Sequence, residues 1–267
     1  MRKAAIFILV LAMSAVAYAG DELTETVDKT FNVRPGTEFE IENVNGSITI
    51  SGWDQPRVRV IAIKKVSTRD REAGQQALRA LKVEIRQTDR ALEIDTIYPK
   101  KNDLDFFGLI FGKDVNAQVK YEISVPRSMN ISADTVNGAI RLSDVSGEIE
   151  LDTTNGKIEV TNCSGAVDAS TTNGGIDVEL LSVMSGKDMS FETTNGRITL
   201  SVPAGLSADI NASTTNGSVR SDLPLSTTRM SRTSIKGTLN GGGPEIRLRT
   251  TNGGIEIQSS GRGSARS

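Results

Sequence analysis

The tetrapeptide TTNG occurs five times, at 153–156, 171–174, 193–196, 214–217 and 250–253, with near-copies TVNG at 135–138 and NVNG at 43–46. Gly138, Gly147, Gly156, Gly165 and Gly174 follow at intervals of nine residues. The spacing then loosens through Gly186, Gly196, Gly205 and Gly217, with a last copy at Gly253. With each unit numbered from its glycine, position 3 is apolar (Ile140, Ile149, Ile158, Val167, Ile176, Ile198, Val219, Ile255), and position 5 is usually so (Leu142, Leu151, Val160, Ala169, Val178, Leu200, Ile257). Positions 2 and 4 are small or charged. That alternation predicts a strand with one buried face. Position 8 holds Val136, Val145, Thr154, Cys163, Thr172, Thr194, Thr215 and Thr251, side chains of similar size, and is read as inward-facing. Positions 5 and 8 differ by three, so a corner is expected between them.

Units ending in T-T-N alternate with units ending in Ser, so two units make one coil of 18 residues, growing to about 22 where loops swell. Stacked coils form parallel strands roughly 4.8 Å apart, and parallel crossovers favour the right hand. The predicted fold is all-β, a right-handed parallel β-solenoid with one short N-terminal helix. Stacking would align Asn137, Asn155, Asn173, Asn195, Asn216 and Asn252 as a structural ladder in which neighbouring amides bond to one another. The glycine after each Asn is read as a positive-φ corner. Cys163, at position 8, is expected to be a buried, unreactive thiol.

Met1-Arg2-Lys3, an apolar run from Ala4 to Val16, and Ala17-Tyr18-Ala19 together read as a secretory signal peptide cleaved after Ala19. The expected organisation is a signal peptide at 1–19, a solenoid domain at 20–257 with a non-repeating excursion at 64–118, and a flexible tail at 258–267. The expected location is the periplasm or outside the cell. Within the excursion, Arg69 to Leu81 reads as a helix with Ala73, Ala77, Leu78 and Leu81 on one face. Strands are expected at 82–87, 91–97 and 117–125. Residues 103–114 concentrate Phe106, Phe107 and Phe111 in a chain that is 4% aromatic. They read as a cap on the open end of the stack or as an apolar contact loop.

The chain has no His and one Cys, and its formal net charge is −2. Ser-His and Cys-His nucleophile pairs are excluded, and most zinc, copper and haem sites lose their usual ligands. Near-neutral charge argues against bulk nucleic-acid binding. Only GGID at 174–177 approaches a calcium-repeat motif, and it does not recur, so no cofactor is expected. Residues 21–54 carry eight acids against Lys29 and Arg34, a net of −6; residues 220–267 carry eight bases against three acids, a net of +5. If sequence order is spatial order, these charges lie at opposite ends. The basic end could then meet an envelope polymer, a membrane surface or the acidic end of another copy.

VNGSITISGWD at 44–54, ALEIDTIYPK at 91–100, YEISVPRSMNISADTVNGAIRLSDVSGEIELDTTNG at 121–156 and GTLNGGGPEIRLRTTNGGIEI at 237–257 resemble the bacterial putative-adhesin family of β-strand-repeat envelope proteins. The resemblance covers nearly all of the chain after residue 19. It implies a right-handed parallel β-solenoid outside the cytoplasm, in a family of unknown function with no established catalytic residues. The leading reading is a non-enzymatic envelope protein with a structural or adhesin-like role. The alternative is a polysaccharide-active lyase or hydrolase. Such chemistry needs paired carboxylates, and Glu150 and Asp168, both at position 4 and one coil apart, are the candidates.

Overall fold

The computed structural model describes residues 13–19, 22–98 and 115–260. The chain enters through β1 (Met13–Ala19) and β2 (Glu22–Asn32), then makes the first coil with β3 (Glu38–Asn45) and β4 (Ile48–Trp53). It departs through β5 (Arg57–Ser67), α1 (Arg71–Ala80), β6 (Lys82–Gln87) and β7 (Ala91–Ile97), and returns with β8 (Asn116–Pro126). The repeat follows: β9 (Asn130–Asn137), β10 (Ile140–Ser143), β11 (Ser146–Asn155), β12 (Ile158–Asn173), β13 (Ile176–Val183), β14 (Met189–Asn195), β15 (Ile198–Val202), β16 (Ala208–Asn216) and β17 (Val219–Ser221). The last strands are β18 (Ser226–Met230), β19 (Ser234–Leu239), β20 (Glu245–Asn252) and β21 (Ile255–Ser259).

These 21 strands belong to one mixed sheet that folds back on itself as two rows. The first row runs β6-β7-β3-β9-β11-β12-β14-β20-β16-β19-β18. The second runs β1-β2-β5-β8-β4-β10-β12-β13-β15-β21-β17. The long strand β12 belongs to both, its Ile158–Thr161 end to the second row and its far end to the first. Pairing is parallel through the middle and antiparallel at both ends of the first row and at the β1 end of the second, so the described residues form an all-β mixed sheet with one helix. The inward residues of both rows, among them Phe39, Ile50, Leu92, Ile140, Phe191 and Leu248, form one hydrophobic cluster.

The rungs do not follow sequence order. β20 lies between β14 and β16, and β21 between β15 and β17. The chain skips a level, turns back through the antiparallel β18–β19 pair, and fills the gap last. The Asn ladder changes accordingly. Nδ2 of Asn137 donates to Asn45 Oδ1, Asn155 to Asn137, Asn173 to Asn155, Asn195 to Asn173, Asn252 to Asn195 and Asn216 to Asn252, all at 2.8–2.9 Å. Asn252 therefore precedes Asn216, and Asn45 joins from the first coil.

Two further expectations are corrected. The glycines after Asn in TTNG do not adopt positive φ. A Cβ on Gly174 would lie 1.8 Å from the carbonyl oxygen of Gly156, so they are required by close approach of stacked backbones. Position 8 faces inward only in the Ser-ending units, where Val145 and Cys163 are buried; Thr154, Thr172, Thr194, Thr215 and Thr251 are exposed, as is Val136. In the TTN units the two-residue alternation runs unbroken to position 7. In the Ser-ending units Asp144 and Asn162 take φ of 60° and 55°, which resets the phase.

The buried first threonine has its own ladder. Oγ1 of Thr153 donates to Gly138 O, Thr171 to Gly156 O, Thr193 to Gly174 O, Thr250 to Gly196 O and Thr214 to Gly253 O, at 2.9–3.0 Å. Thr135 Oγ1 is buried and has no partner among the described residues. The equivalent acceptor, Gly46 O, already receives Asn43 Nδ2 at 3.1 Å. Thr171→Val should therefore cost about 1 kcal/mol, whereas Thr135→Val should be neutral or stabilising, because it removes an unsatisfied hydroxyl. Urea denaturation of both variants checks this, and equal losses would contradict the ladder.

Cys163 is fully buried, its Sγ lies 3.4 Å from Thr161 O, and burial pushes the thiol pKa up. It is expected to resist thiol reagents in the native state and to label fully in denaturant; rapid native labelling would contradict its burial.

The helix forms over Arg71–Ala80, shorter than the expected 69–81 because Leu81 is an extended C-cap, with Asp70 as N-cap accepting from Glu72 N and Ala73 N. Ala73, Ala77 and Leu78 pack on Leu23 and Val66, and Leu81 is fully buried in the main core. Strands β6 and β7 match their predicted spans, and β8 extends the third by a residue at each end.

Candidate functional site

Side chains on the inner side of each rung repeat, while those on the outer side vary. Along the first row, one outer column reads Glu93, Glu40, Ser132, Glu150, Asp168, Ser190, Arg247 and Asn211. The next reads Asp95, Glu42, Asp134, Asp152, Ser170, Glu192, Arg249 and Ser213. Rung spacing of about 4.8 Å holds these carboxylates together.

The candidates Glu150 and Asp168 stand opposite one another on adjacent strands. They line a shallow groove of about 290 Å³ with Glu38, Glu40, Glu148 and Lys187. Lys187 Nζ lies 3.0 Å from Glu148 Oε1. Asp168 Oδ1 accepts the Ser190 backbone N–H at 2.7 Å, yet burial, with the neighbouring Asp152, holds its pKa above the ordinary 3.8. Asp134 is raised as well, first by burial and then by Asp152, Glu42 and Glu150. Such a surface attracts cationic groups. Among the described residues no three acidic or Cys side chains converge as a metal site. Phe106, Phe107 and Phe111 lie outside the described residues.

The sign of the Asp134 shift sets a prediction. A carboxyl whose folded pKa is raised destabilises the fold when ionised, and the penalty disappears as pH falls through the folded pKa toward the unfolded value near 3.8. Asp134→Asn should raise Tm at pH 7, with the gain shrinking in acid and in high salt. Thermal melts across pH test this, and a gain that grew in acid would contradict the repulsion.

The second row carries a larger outer groove of about 600 Å³, lined by Thr49, Arg141, Ser143, Glu159, Asp177 and Gln258 among others. Arg141 Nε donates to Glu159 Oε2 at 2.8 Å, and Lys157 Nζ lies 2.7 Å from Asp177 Oδ2. Sequence reasoning did not single out this network. The 18-residue alignment that paired Glu150 with Asp168 also stacks Arg141 on Glu159 and could have found it.

The predicted separation holds in placement, with β2 and β3 toward one end of the rows and β16–β21 toward the other, but the acidic end is neutralised locally. The N-terminal acids are paired along their own sheet: Glu22 with Lys65, Glu25 with Lys64 and Asp28 with Arg59, while Asp54 meets Arg127. The basic strand β20 sits within the stack, where Arg247 faces Glu245.

No curated protein matches this chain. Solved structures similar to it include the "putative cell adhesion protein" of Clostridium sporogenes ATCC 15579, at 14% identity and TM-score 0.48, covering 87% of this chain and 98% of that one. A "putative adhesin" of Bacteroides fragilis NCTC 9343 aligns at 12% identity and TM-score 0.31 over 88% and 96% of the two chains. A "putative lipid binding protein" of Parabacteroides distasonis ATCC 8503 aligns at 13% identity and TM-score 0.30, again over 88% and 96%. The family model described as Toastrack DUF4097 matches residues 28–258, most of the chain, and the protein belongs to that family.

Proposed function

We propose that the protein is an exported, non-enzymatic cell-envelope scaffold with an adhesin-like role, whose central strands form a right-handed parallel solenoid of 18–22 residues per coil. The 18- and 22-residue steps between ladder partners from Asn137 to Asn195 support the coil. One observation carries the functional reading. The most repeated residues, Asn, Thr and Gly, are consumed by ladders, while the outer columns change from rung to rung, as suits a rigid frame that displays a surface. Residues 1–19 act as the signal, and the mature chain resides in the periplasm or beyond. Among the described residues no helix is long and apolar enough to cross a membrane.

The test is fractionation of producing cells with intact-mass measurement. A protein in the envelope fraction starting at Gly20 is expected; a cytosolic protein that keeps Met1 or residues 2–19 overturns export. A second reading, a polysaccharide-active enzyme, draws on the opposed Glu150 and Asp168, whose strand spacing is close to the ~5 Å carboxyl separation of retaining glycosidases. Glycan cleavage by purified protein that Glu150→Gln abolishes would replace the scaffold reading.

A further inference from the structure

Strand β2 spans 11 residues, and β5 pairs with it along its whole length. Among the described residues its other edge meets one strand, β1, which covers Glu22 to Asp28, and the Gln87 side chain at Asn32. Val33 N donates to Pro56 O at 3.2 Å, on the β5 side. Backbone groups alternate along an antiparallel strand, so odd residues of β2 turn theirs toward β5 and even residues toward the outer edge. Gln87 Nε2, which reaches Asn32 O at 2.7 Å, fits that assignment. Removal of residues 1–19 would take β1 away and, among the described residues, leave this edge bare from Glu22 to Thr30. A bare edge of such length is a template for another strand.

We infer that β2 of the mature chain pairs antiparallel with β2 of a second copy, about a two-fold axis at Val27, so that the sheet continues from one copy into the next. The inference rests on the export reading. Its warrant is the self-complementarity of ELTETVDKTFN. Because even residues present the free backbone groups in both copies, even must face even. Centring on Val27 sets Thr24 against Thr30 and Thr26 against Asp28 as the hydrogen-bonded pairs, with Glu22 opposite Asn32, whose carbonyl Gln87 already engages. The closer, non-hydrogen-bonded pairs are then Leu23 with Phe31, Glu25 with Lys29, and Val27 with itself. Neighbouring registers fail. Centring on Glu25 opposes Glu25 to itself and Glu22 to Asp28. Centring on Thr26 sets Leu23 against Lys29 and Glu25 against Val27. Centring on Asp28 opposes two aspartates.

Lys29 gives the register its specificity. It points to the same side of β2 as the buried Leu23 and Phe31, and it makes no hydrogen bond or ion pair among the described residues. An inward-pointing charge on an edge strand blocks indiscriminate pairing. In the Val27-centred register it meets the partner copy's Glu25, which in its own chain pairs, among the described residues, with Lys64 at 3.2 Å.

The experiment uses the full chain produced in an exporting bacterial host, with intact mass read first. The chain that has lost residues 1–19 is expected to sediment as a dimer. Val27→Cys should form a disulfide-linked pair on a non-reducing gel, because non-hydrogen-bonded antiparallel partners have Cα atoms about 4.5 Å apart, within disulfide reach. Thr24→Cys, which faces Thr30, should stay unlinked. Thr26→Pro removes an outward N–H without touching the β5 pairing, and Lys29→Glu opposes like charges; each should halve the sedimenting mass while leaving the circular dichroism spectrum unchanged. A processed chain that sediments as a monomer and gives no Val27→Cys link overturns the pairing while export stands. A chain that keeps residues 1–19 overturns both.

Discussion

Gly174→Ala is expected to open the stack at its middle. The new Cβ would sit 1.8 Å from Gly156 O, about half of an ordinary contact, and the obstacle is backbone on a neighbouring rung. Relief requires the two rungs to separate. That strains the Gly156 N to Asn173 O bond, the Thr171 to Gly156 O bond and the Asn173 to Asn155 amide bond together. At about 1 kcal/mol each, with packing lost beside them, the cost should reach at least ~3 kcal/mol. A domain of this kind has about 5–15 kcal/mol in total. Gly205→Ala is the control: no atom lies within 4 Å of its Cβ position and its φ is not positive, so it should change stability by less than about 0.5 kcal/mol. Chemical denaturation of both variants decides the matter. If Gly174→Ala melts with wild type, stacking is looser than the structure shows.

Ending the chain after Gly243 should do greater damage than removal of a terminal coil normally does. It deletes β20 and β21, which sit inside the stack. Buried Ile246, Leu248, Ile255 and Ile257 are lost, each contributing about 1.5–3 kcal/mol. β14 and β15 each lose one of two parallel partners, β16 and β17 lose the only parallel partner described for each, and the Asn ladder is cut between Asn195 and Asn216. The expected result is loss of the cooperative melt, with hydrogen-exchange protection gone from residues 198–239. Were rung order the same as chain order, the truncated protein would be one coil shorter and otherwise intact. A sharp melt within a few degrees of the full chain would therefore overturn the inserted topology.

The nine-residue phrase by itself determined the strand periodicity, the inward residues at positions 3 and 5, the amide column and the opposition of Glu150 and Asp168. Each of these follows from local alternation and from stacking like on like. The helix was legible too, because Asp70 and the spacing of Ala73, Ala77 and Leu78 are local signals. Tertiary structure alone decided which rung lies on which. Every TTNG strand offers the same backbone edge and the same Asn, so β14 could accept β16 or β20 equally well by pattern. The choice falls to the non-repeating β18–β19 segment, which occupies the far edge of β16 and sends the chain back into the gap. The role of the glycines was hidden for a related reason. A turn residue and a residue pressed against a neighbouring backbone look alike in sequence, and only the 1.8 Å approach separates them. The N-terminal acids looked like a charged end because their partners, Arg59, Lys64 and Lys65, lie about 30 to 45 residues away on β5, and pairing of that range is set by strand register, which composition does not record.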